Sequence, residues 1–440
     1  MRAMKDSGIA WVGEIPEKWR TERIKFHAKL NPLTAIPYKD DEEPVSFVPM
    51  DCLKQGYHSV EESTYGKVKK GYVSFQKGDI LIAKVTPCFE NGNIAVADNL
   101  INEVGFGSTE INVMRCYSII TRYLFYIFQC KPFIEIATYN MFGVAGLKRL
   151  NPEFIPNSKI PIPSETEQVK IVTYIDQKCA EIDALIAAKE KTKALLKERR
   201  QSIIYEAVTK GLDPTVPMKD SGIEWLGTIP QNWKTCRIKQ LVDATHPYPV
   251  GDGDHGMIKA DDYQTEGIPY IRVLNLSWGT GLNLDDLVYI SEELNDRIKN
   301  SELRPNDILI AKTGATIGKT AIVPPSLPLS NTTSHVGKIT VSPAYDAKYF
   351  FYVMTSFVVQ KQIIDLSSMQ STRPELGIDG LKNLIVTLPP MDDQQSISNY
   401  LDSQCAVIDS MIGSTDDMIR TLKEYRQSLI YEAVTGKIEV

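Results

Sequence analysis

The chain has 440 residues, 43% apolar and 24% charged, with a net charge of −6 and a pI near 5.6. This is too long for one ordinary core and predicts two to four domains of a soluble globular protein. The acidic balance argues against a free-standing, wholly basic nucleic-acid binder, though a local basic face remains compatible with it. No run of about 18 uncharged apolar residues suggests a membrane span. The first residues lack the apolar stretch of a secretory signal, and the seven cysteines form no C-x-x-C pair. A reducing, cytoplasmic setting is the expectation.

In chain order, the opening segment "MKDSGIAWVGEIPEKW" (4–19) returns as "MKDSGIEWLGTIPQNW" (218–233), with 11 of 16 positions identical. Further on, "KERRQSIIYEAVT" (197–209) returns as "KEYRQSLIYEAVT" (423–435), with 11 of 13 identical. The offsets are 218 − 4 = 214 and 423 − 197 = 226, so the second copy is about a dozen residues longer between these points. Units of this size are two tandem domains rather than a solenoid. Trp11, Trp19, Trp225 and Trp233 occupy matched positions and read as packing residues. Between the conserved ends only a skeleton persists: "PVSFVPMD" (44–51) against "IPYIRVLN" (268–275), and "KGDILIAKVTP" (77–87) against "PNDILIAKTGA" (305–315). One scaffold with two readouts fits modular recognition.

Each copy ends in a long helical pattern. The first starts at Pro163-Ser164, with Ser164 as cap, Gln168 nearby and Glu165 and Glu167 in the first turn. No Pro or Gly interrupts 165–209, about 45 residues and roughly 68 Å of helix. Ile175, Cys179, Ile182, Ile186, Leu196 and Ile203 form a heptad-like seam. Leu401, Cys405, Ile408, Ile412, Ile419, Leu422 and Leu429 repeat it. The 3- and 4-residue steps predict coiled-coil pairing, antiparallel because each globular unit must return the chain to the next helix. Gly413 softens the second helix. "KEKTK" (189–193) reads as a solvated face.

The expected architecture is therefore α+β. Two mixed α/β recognition domains, 1–163 and 212–389, are separated by spacer helices at 164–211 and 390–440, with an internal pseudo-twofold repeat.

Sharper chemical motifs fail. "GATIGKT" (314–320) approaches the phosphate-binding G-x-x-x-x-G-K-[ST]. Only three residues separate its glycines, Thr320 leads into "AIVPP" rather than a helix, and the sister copy has Thr86-Pro87-Cys88. "NPEF" (151–154) echoes an amino-methyltransferase motif, but Glu153 replaces the second proline and no F-x-G-x-G loop precedes it. "GDGDH" (251–255) reads as a polar turn. No catalytic or metal-ligating residues are expected.

Taken together, the chain resembles the specificity (S) subunit of type I restriction-modification systems. The resemblance rests on "SGIAWVGEIPEKW" and "SGIEWLGTIPQNW", on "KGDILIAKVTPCFENG" with "GFGSTE" (105–110), and on "DILIAKTGATIGKTAIV" with "SNTT" (330–333). The helix openings "IPIPSETEQVKIVTYID" and "LPPMDDQQSISNYLD", and the closings "RQSIIYEAVT" and "RQSLIYEAVT", complete it. Departures are Asn93, where such proteins often carry lysine, and Asp393-Gln394 where the first helix has Glu167-Gln168.

The resemblance implies a non-catalytic subunit in which each target recognition domain reads half of a bipartite double-stranded DNA site. It implies two modification (methyltransferase) subunits on the helices, carrying S-adenosylmethionine, and restriction/translocase subunits in the full complex. A coiled-coil scaffold that binds only protein, or an autonomous DNA methyltransferase, are the alternatives. Base readout calls for basic and amide side chains on turns beside strands. In the first unit these are Lys84, Thr86, Glu90, Asn91, Lys148 and Arg149. In the second they are Arg272, Lys312, Thr313, Lys319, Thr372 and Arg373. Each would otherwise be an ordinary solvated side chain. If the helices act as a ruler, deleting one heptad from both should change the spacer tolerated between half-sites; an unchanged preference would sink the ruler.

Overall fold

A computed structural model describes residues 2–144, 146–254, 256–368 and 374–440. The longer helices are α1 (Thr121–Gln129), α2 (Lys131–Tyr139), α3 (Glu165–Lys210), α4 (Ala347–Thr355), α5 (Phe357–Ser368) and α6 (Met391–Val434). α6 runs unbroken through Gly413. No helix among the described residues is long and apolar enough to cross a membrane. The chain forms two compact units, Met1–Glu190 with Asp417–Val440, and Lys191–Asp416. This cuts differently from the sequence expectation: each unit contains its own sheets and half of each long helix.

In the first unit, β1 (Ala28–Leu30), β2 (Ile80–Ala83), β3 (Ile94–Val96) and β4 (Ile111–Cys116) form an antiparallel sheet in the order β1-β4-β2-β3. β2 is buried on both faces, as its unbroken apolar run requires. Ile80 and Ile82 pack into a core with α1, α2 and the long helices, while Leu81 and Ala83 join a separate cluster with Val48, Leu53 and Phe75. Asp79 closes the turn before β2 by accepting the Gln76 N–H at 2.8 Å, and its charge is met by both Arg115 Nε at 2.8 Å and Arg115 Nη2 at 2.7 Å. A second sheet places Pro44–Val48 parallel to Val104–Gly107. A third pairs Arg20–Arg23 with Lys159–Ile162, delivering the chain to α3.

The second unit repeats this plan. β5 (Val250–Asp252), β6 (Ile308–Ala311), β7 (Thr320–Ile322) and β8 (Val336–Ile339) take the order β5-β8-β6-β7. Ile308 and Ile310 again face the helices, and Leu309 and Ala311 the opposite cluster. Ile268–Ile271 runs parallel to Asn331–Thr332, and Lys234–Arg237 pairs with Ile385–Leu388 before α6. Because Thr320 opens β7 rather than a helix, the G-K-T segment is the turn of a hairpin, with the Ala311 N–H donating to Lys319 O at 2.8 Å.

The helix seams are buried or half-buried throughout. In the first unit Ile175, Cys179, Ile182 and Ile186 pack with Leu422 and Leu429, and Ile419 is buried; in the second, Leu196 and Ile203 pack with Leu401, Cys405, Ile408 and Ile412. The same clusters include Tyr123 and Tyr126 of α1 and Tyr349 and Tyr352 of α4, so the seam doubles as domain core. Within the second unit Lys193 pairs with Asp416 and Arg200 with Asp409, which makes α3 and α6 antiparallel. Arg426 with Asp183 repeats the Arg200–Asp409 pair in the first unit, since 426 − 200 = 226 and 409 − 183 = 226.

Helix ends explain two of the four repeated tryptophans, Trp19 and Trp233, while Trp225 is exposed rather than packed. Ser164 caps α3 through a reciprocal box with Glu167, whose N–H donates to Ser164 Oγ at 3.3 Å, while the Ser164 N–H donates to Glu167 Oε2 at 3.2 Å. Gln168 instead accepts from the Ile120 N–H, at 3.0 Å. Buried Trp19 donates to Glu167 Oε1 at 3.2 Å, and buried Trp233 to Asp393 Oδ2 at 3.0 Å. The glycines ending the long helices lie against the same rings. Gly211 (φ +76°) would bring a Cβ 3.3 Å from Trp233, and Gly436 (φ +71°) one 3.0 Å from Trp19 and 2.5 Å from Pro16. Both positions favour glycine by conformation, and Gly436 by space as well.

In the second unit, burial, then the charges of Lys338 and Arg304, push the buried His246 imidazole down to about 4, with Asp243 acting in the opposite sense. His246 Nδ1 accepts the Tyr248 N–H at 2.9 Å, a bond that needs the neutral ring. An unfolded histidine takes its proton near pH 6.5. The group therefore stabilises the fold above about pH 6.5, and that contribution is lost as pH falls toward about 4. His246→Asn, whose amide oxygen can accept the same N–H, should flatten the thermal-unfolding profile over that window; an unaltered slope refutes the assignment.

Candidate nucleic-acid interface

The turn after β2 is stitched to two other segments. The Lys84 N–H donates to Glu110 O at 3.0 Å, and the Leu150 N–H to Lys84 O at 2.7 Å. The Thr86 N–H donates to Lys148 O at 3.0 Å, the Lys148 N–H to Thr86 Oγ1 at 2.9 Å, and Thr86 Oγ1 to Gly146 O at 2.8 Å. A hairpin of Phe142–Val144 and Leu147–Arg149 is thereby held beside the turn, and Arg149 Nη2 donates to Glu110 Oε1 at 2.6 Å. Lys84, Thr86, Lys148 and Arg149 form one cluster. Glu90 and Asn91 do not join it: they line a cavity of about 530 Å³ with Gln55, Lys131 and Gln427.

The second unit builds the same frame. The Lys312 N–H donates to His335 O at 2.9 Å, the Leu376 N–H to Lys312 O at 2.8 Å, and the Gly314 N–H to Pro374 O at 3.1 Å. Thr313 bridges Glu375, as Val85 bridges Arg149. The backbone is shared, but the side chains differ. Glu375 stands where the first unit has Arg149, and His335 where it has Glu110. His335 Nδ1 lies 3.1 Å from Thr313 Oγ1.

The chemistry of the two heads follows. Arg149, more than half exposed, presents a guanidinium suited to guanine O6 and N7, and a carboxylate such as Glu375 accepts from cytosine N4. The matched frame therefore carries unmatched polar side chains, Arg149 with Glu110 in one unit and Glu375 with His335 in the other.

Residues 19–196 and 230–412 each match the model of the family described as "Type I restriction modification DNA specificity domain". The chain belongs to this family. Among relatives, the specificity subunit of the type I restriction enzyme EcoAI of Escherichia coli is 27% identical over 68% of this chain and 62% of its own length. That of EcoBI, also from Escherichia coli, is 26% identical over 66% of this chain and 61% of its own. The chain thus spans about three fifths of the length of these relatives. A solved chain from "Structural basis underlying complex assembly and conformational transition of the type I R-M system" superposes with a TM-score of 0.71, covering 96% of this chain and 99% of that one. At 16% identity that likeness shows the fold of the family member.

Against this frame the remaining candidates separate. Lys312 is corrected: it is only 3% exposed and its ammonium forms an ion pair with Asp252 of β5, so it braces the turn from inside and offers nothing to a base. Arg272 is held by Asp286, donating to its backbone O at 3.1 Å, with its guanidinium 5.7 Å above the Tyr263 ring. Thr313 and Lys319 are half-buried on the β6–β7 turn. Thr372 and Arg373 lie outside the described residues. Sequence reasoning missed Glu110, His335, Glu375 and Asp252. Glu110 and His335 each immediately precede a core strand, β4 or β8, and alignment on those strands was the available signal. Breaking a buried ion pair leaves an uncompensated charge, so Asp252→Ala should cost about 3 kcal/mol in denaturant unfolding; a change below about 0.5 kcal/mol would mean Lys312 needs no partner.

Proposed function

We propose that the chain is the DNA sequence-specificity subunit of a type I restriction-modification assembly. Each unit reads one half of a bipartite, asymmetric site in double-stranded DNA. The long helices set the spacing between half-sites. The subunit directs adenine methylation and restriction and catalyses neither.

The observation that carries this reading is the duplicated frame around Lys84 and Lys312, which presents Arg149 with Glu110 in one unit and Glu375 with His335 in the other. Two identical readers would specify a palindrome; two different heads specify two different half-sites. In the first unit Lys84, Thr86, Lys148 and Arg149 contact DNA, with Glu90 and Asn91 flanking; in the second Thr313, Lys319, Thr372, Arg373 and Arg272 do so.

Two modification (methyltransferase) subunits dock on the helices and hold the S-adenosylmethionine; restriction/translocase subunits join for cleavage, in the cytoplasm. Within the second unit, exposed Phe357 and Trp225 flank Glu198, Gln201 and Tyr205 of α3 in a groove of about 520 Å³, an apolar surface suited to such a partner.

Methylome sequencing of a host with and without the chain tests the reading. Loss of one bipartite adenine-methylated motif is expected, and an unchanged methylome refutes it. Arg149→Ala should relax one position of one half-site at a cost of about 1–3 kcal/mol, whereas uniform weakening on all sequences would make Arg149 a phosphate contact.

A further inference from the structure

Each unit carries an exposed aromatic side chain on a rigid loop beside the candidate interface. In the first unit the loop is "MDCLKQGYH" (50–58), and in the second "VLNLSWGTGL" (273–282). Both begin with a short 3-10 turn, Met50–Cys52 or Val273–Asn275, followed by a buried leucine, Leu53 or Leu276. Both then turn on a glycine of positive φ, +85° at Gly56 and +84° at Gly279. The Gly56 N–H donates to Ile94 O, first residue of β3, at 2.9 Å; the Gly279 N–H donates to Thr320 O, first residue of β7, at 3.2 Å. Each loop is therefore fixed to the strand that leaves the β2–β3 or β6–β7 turn.

The second loop is held by the denser hydrogen-bond network. The Thr320 N–H donates to Ser277 O at 3.0 Å, Ser277 Oγ to Gly281 O at 2.7 Å, and the Thr280 N–H to Ser277 Oγ at 2.9 Å. Arg200 of α3, only 5% exposed, donates through Nη2 to Gly279 O at 2.6 Å. A Cβ on Gly279 would meet Thr355 Cγ2 at 2.8 Å, so only glycine fits there. Upon this loop Trp278 is 56% exposed, and Tyr57 on the other is 62% exposed. Trp278 bridges Thr320, and Lys319 directly precedes it, without an ion-pair partner among the described residues. Lys54 stands three residues before Tyr57.

We propose that Trp278 and Tyr57 are DNA contacts that stack on a base or wedge a base step at the edge of each half-site, with Lys319 and Lys54 on the adjoining phosphates. This rests on the DNA-reading function proposed above. An indole on a pre-ordered loop brings large contact area at little conformational cost. Its energy is tolerant of sequence because every base has a π-face, and insertion is easiest at flexible pyrimidine–purine steps. The aromatics thus supply affinity and local distortion, while the Arg149 and Glu375 heads supply discrimination.

The test uses the full chain, co-expressed with modification subunits that co-purify with it, on a fluorescent duplex carrying its methylated motif. Trp278→Ala should weaken binding about tenfold, with Trp278→Phe recovering most of the loss. 2-Aminopurine placed through the second half-site should change its fluorescence on binding to the parent chain, brightening where a step is wedged open and dimming where the indole stacks on it, and show no such change with Trp278→Ala. If Trp278→Ala does not fold, Tyr57→Ala with 2-aminopurine in the first half-site decides in the same way. Parent-like affinity and a parent-like fluorescence change in the alanine variant overturn the inference while leaving the DNA-reading function intact. Loss of the co-purifying subunits with DNA contact unchanged overturns it too, and assigns the loop to protein docking. Failure of the parent chain to bind its duplex overturns the underlying function itself.

Discussion

Two tryptophan rings determine how this chain is assembled. Trp19 holds the first turn of α3 through Glu167 and receives the glycine that ends α6. Trp233 holds the first turn of α6 through Asp393 and receives the glycine that ends α3. When one side chain fixes the start of one helix and the finish of another, the two must run in opposite directions there. The antiparallel pairing, the Arg200–Asp409 and Arg426–Asp183 ion pairs and the packing of α1 and α4 on the seam all follow from that geometry.

Much of this was legible in the residues. The repeated "SGI" and "RQS" segments exposed the duplication, and the unbroken 165–209 pattern exposed the helix. The apolar run of "DILIA" marked a doubly covered strand. What the pattern could not show was partnership across distance. The sequence places Ser164 at the cap with Gln168 nearby and Glu167 in the first turn, but only the fold shows that Glu167 closes the box while Gln168 satisfies the Ile120 N–H. Lys312 looked like a solvent-facing cation on a turn because nothing near it in sequence announces Asp252, sixty positions earlier. The seam residues looked like a two-helix zipper because heptad spacing records one apolar face without saying how many elements meet it. Tyr123 and Tyr349, Tyr126 and Tyr352 share the offset 349 − 123 = 226, and that match was present in the sequence to be read.

The candidate interface divides labour between main chain and side chain. Backbone bonds from Lys84 to Glu110 and Leu150, and from Lys312 to His335 and Leu376, hold the frame whatever the side chains are. Heads can then change charge, as from Arg149 to Glu375, without loss of the turn. Such separation keeps stability and selectivity from competing for the same groups.

Because the first unit is closed by Asp417–Val440, its order of completion on the ribosome runs against its order of synthesis. Its sheets emerge first, but Leu429, Ile430, Ala433 and Val434, which fill its core, emerge last. The second unit, contiguous in the chain, has all its parts beforehand. The earliest-made half therefore waits with apolar surface uncovered until Asp417–Val440 is made, and removing those helical turns opens the core of the first unit while leaving the second unit's own residues intact.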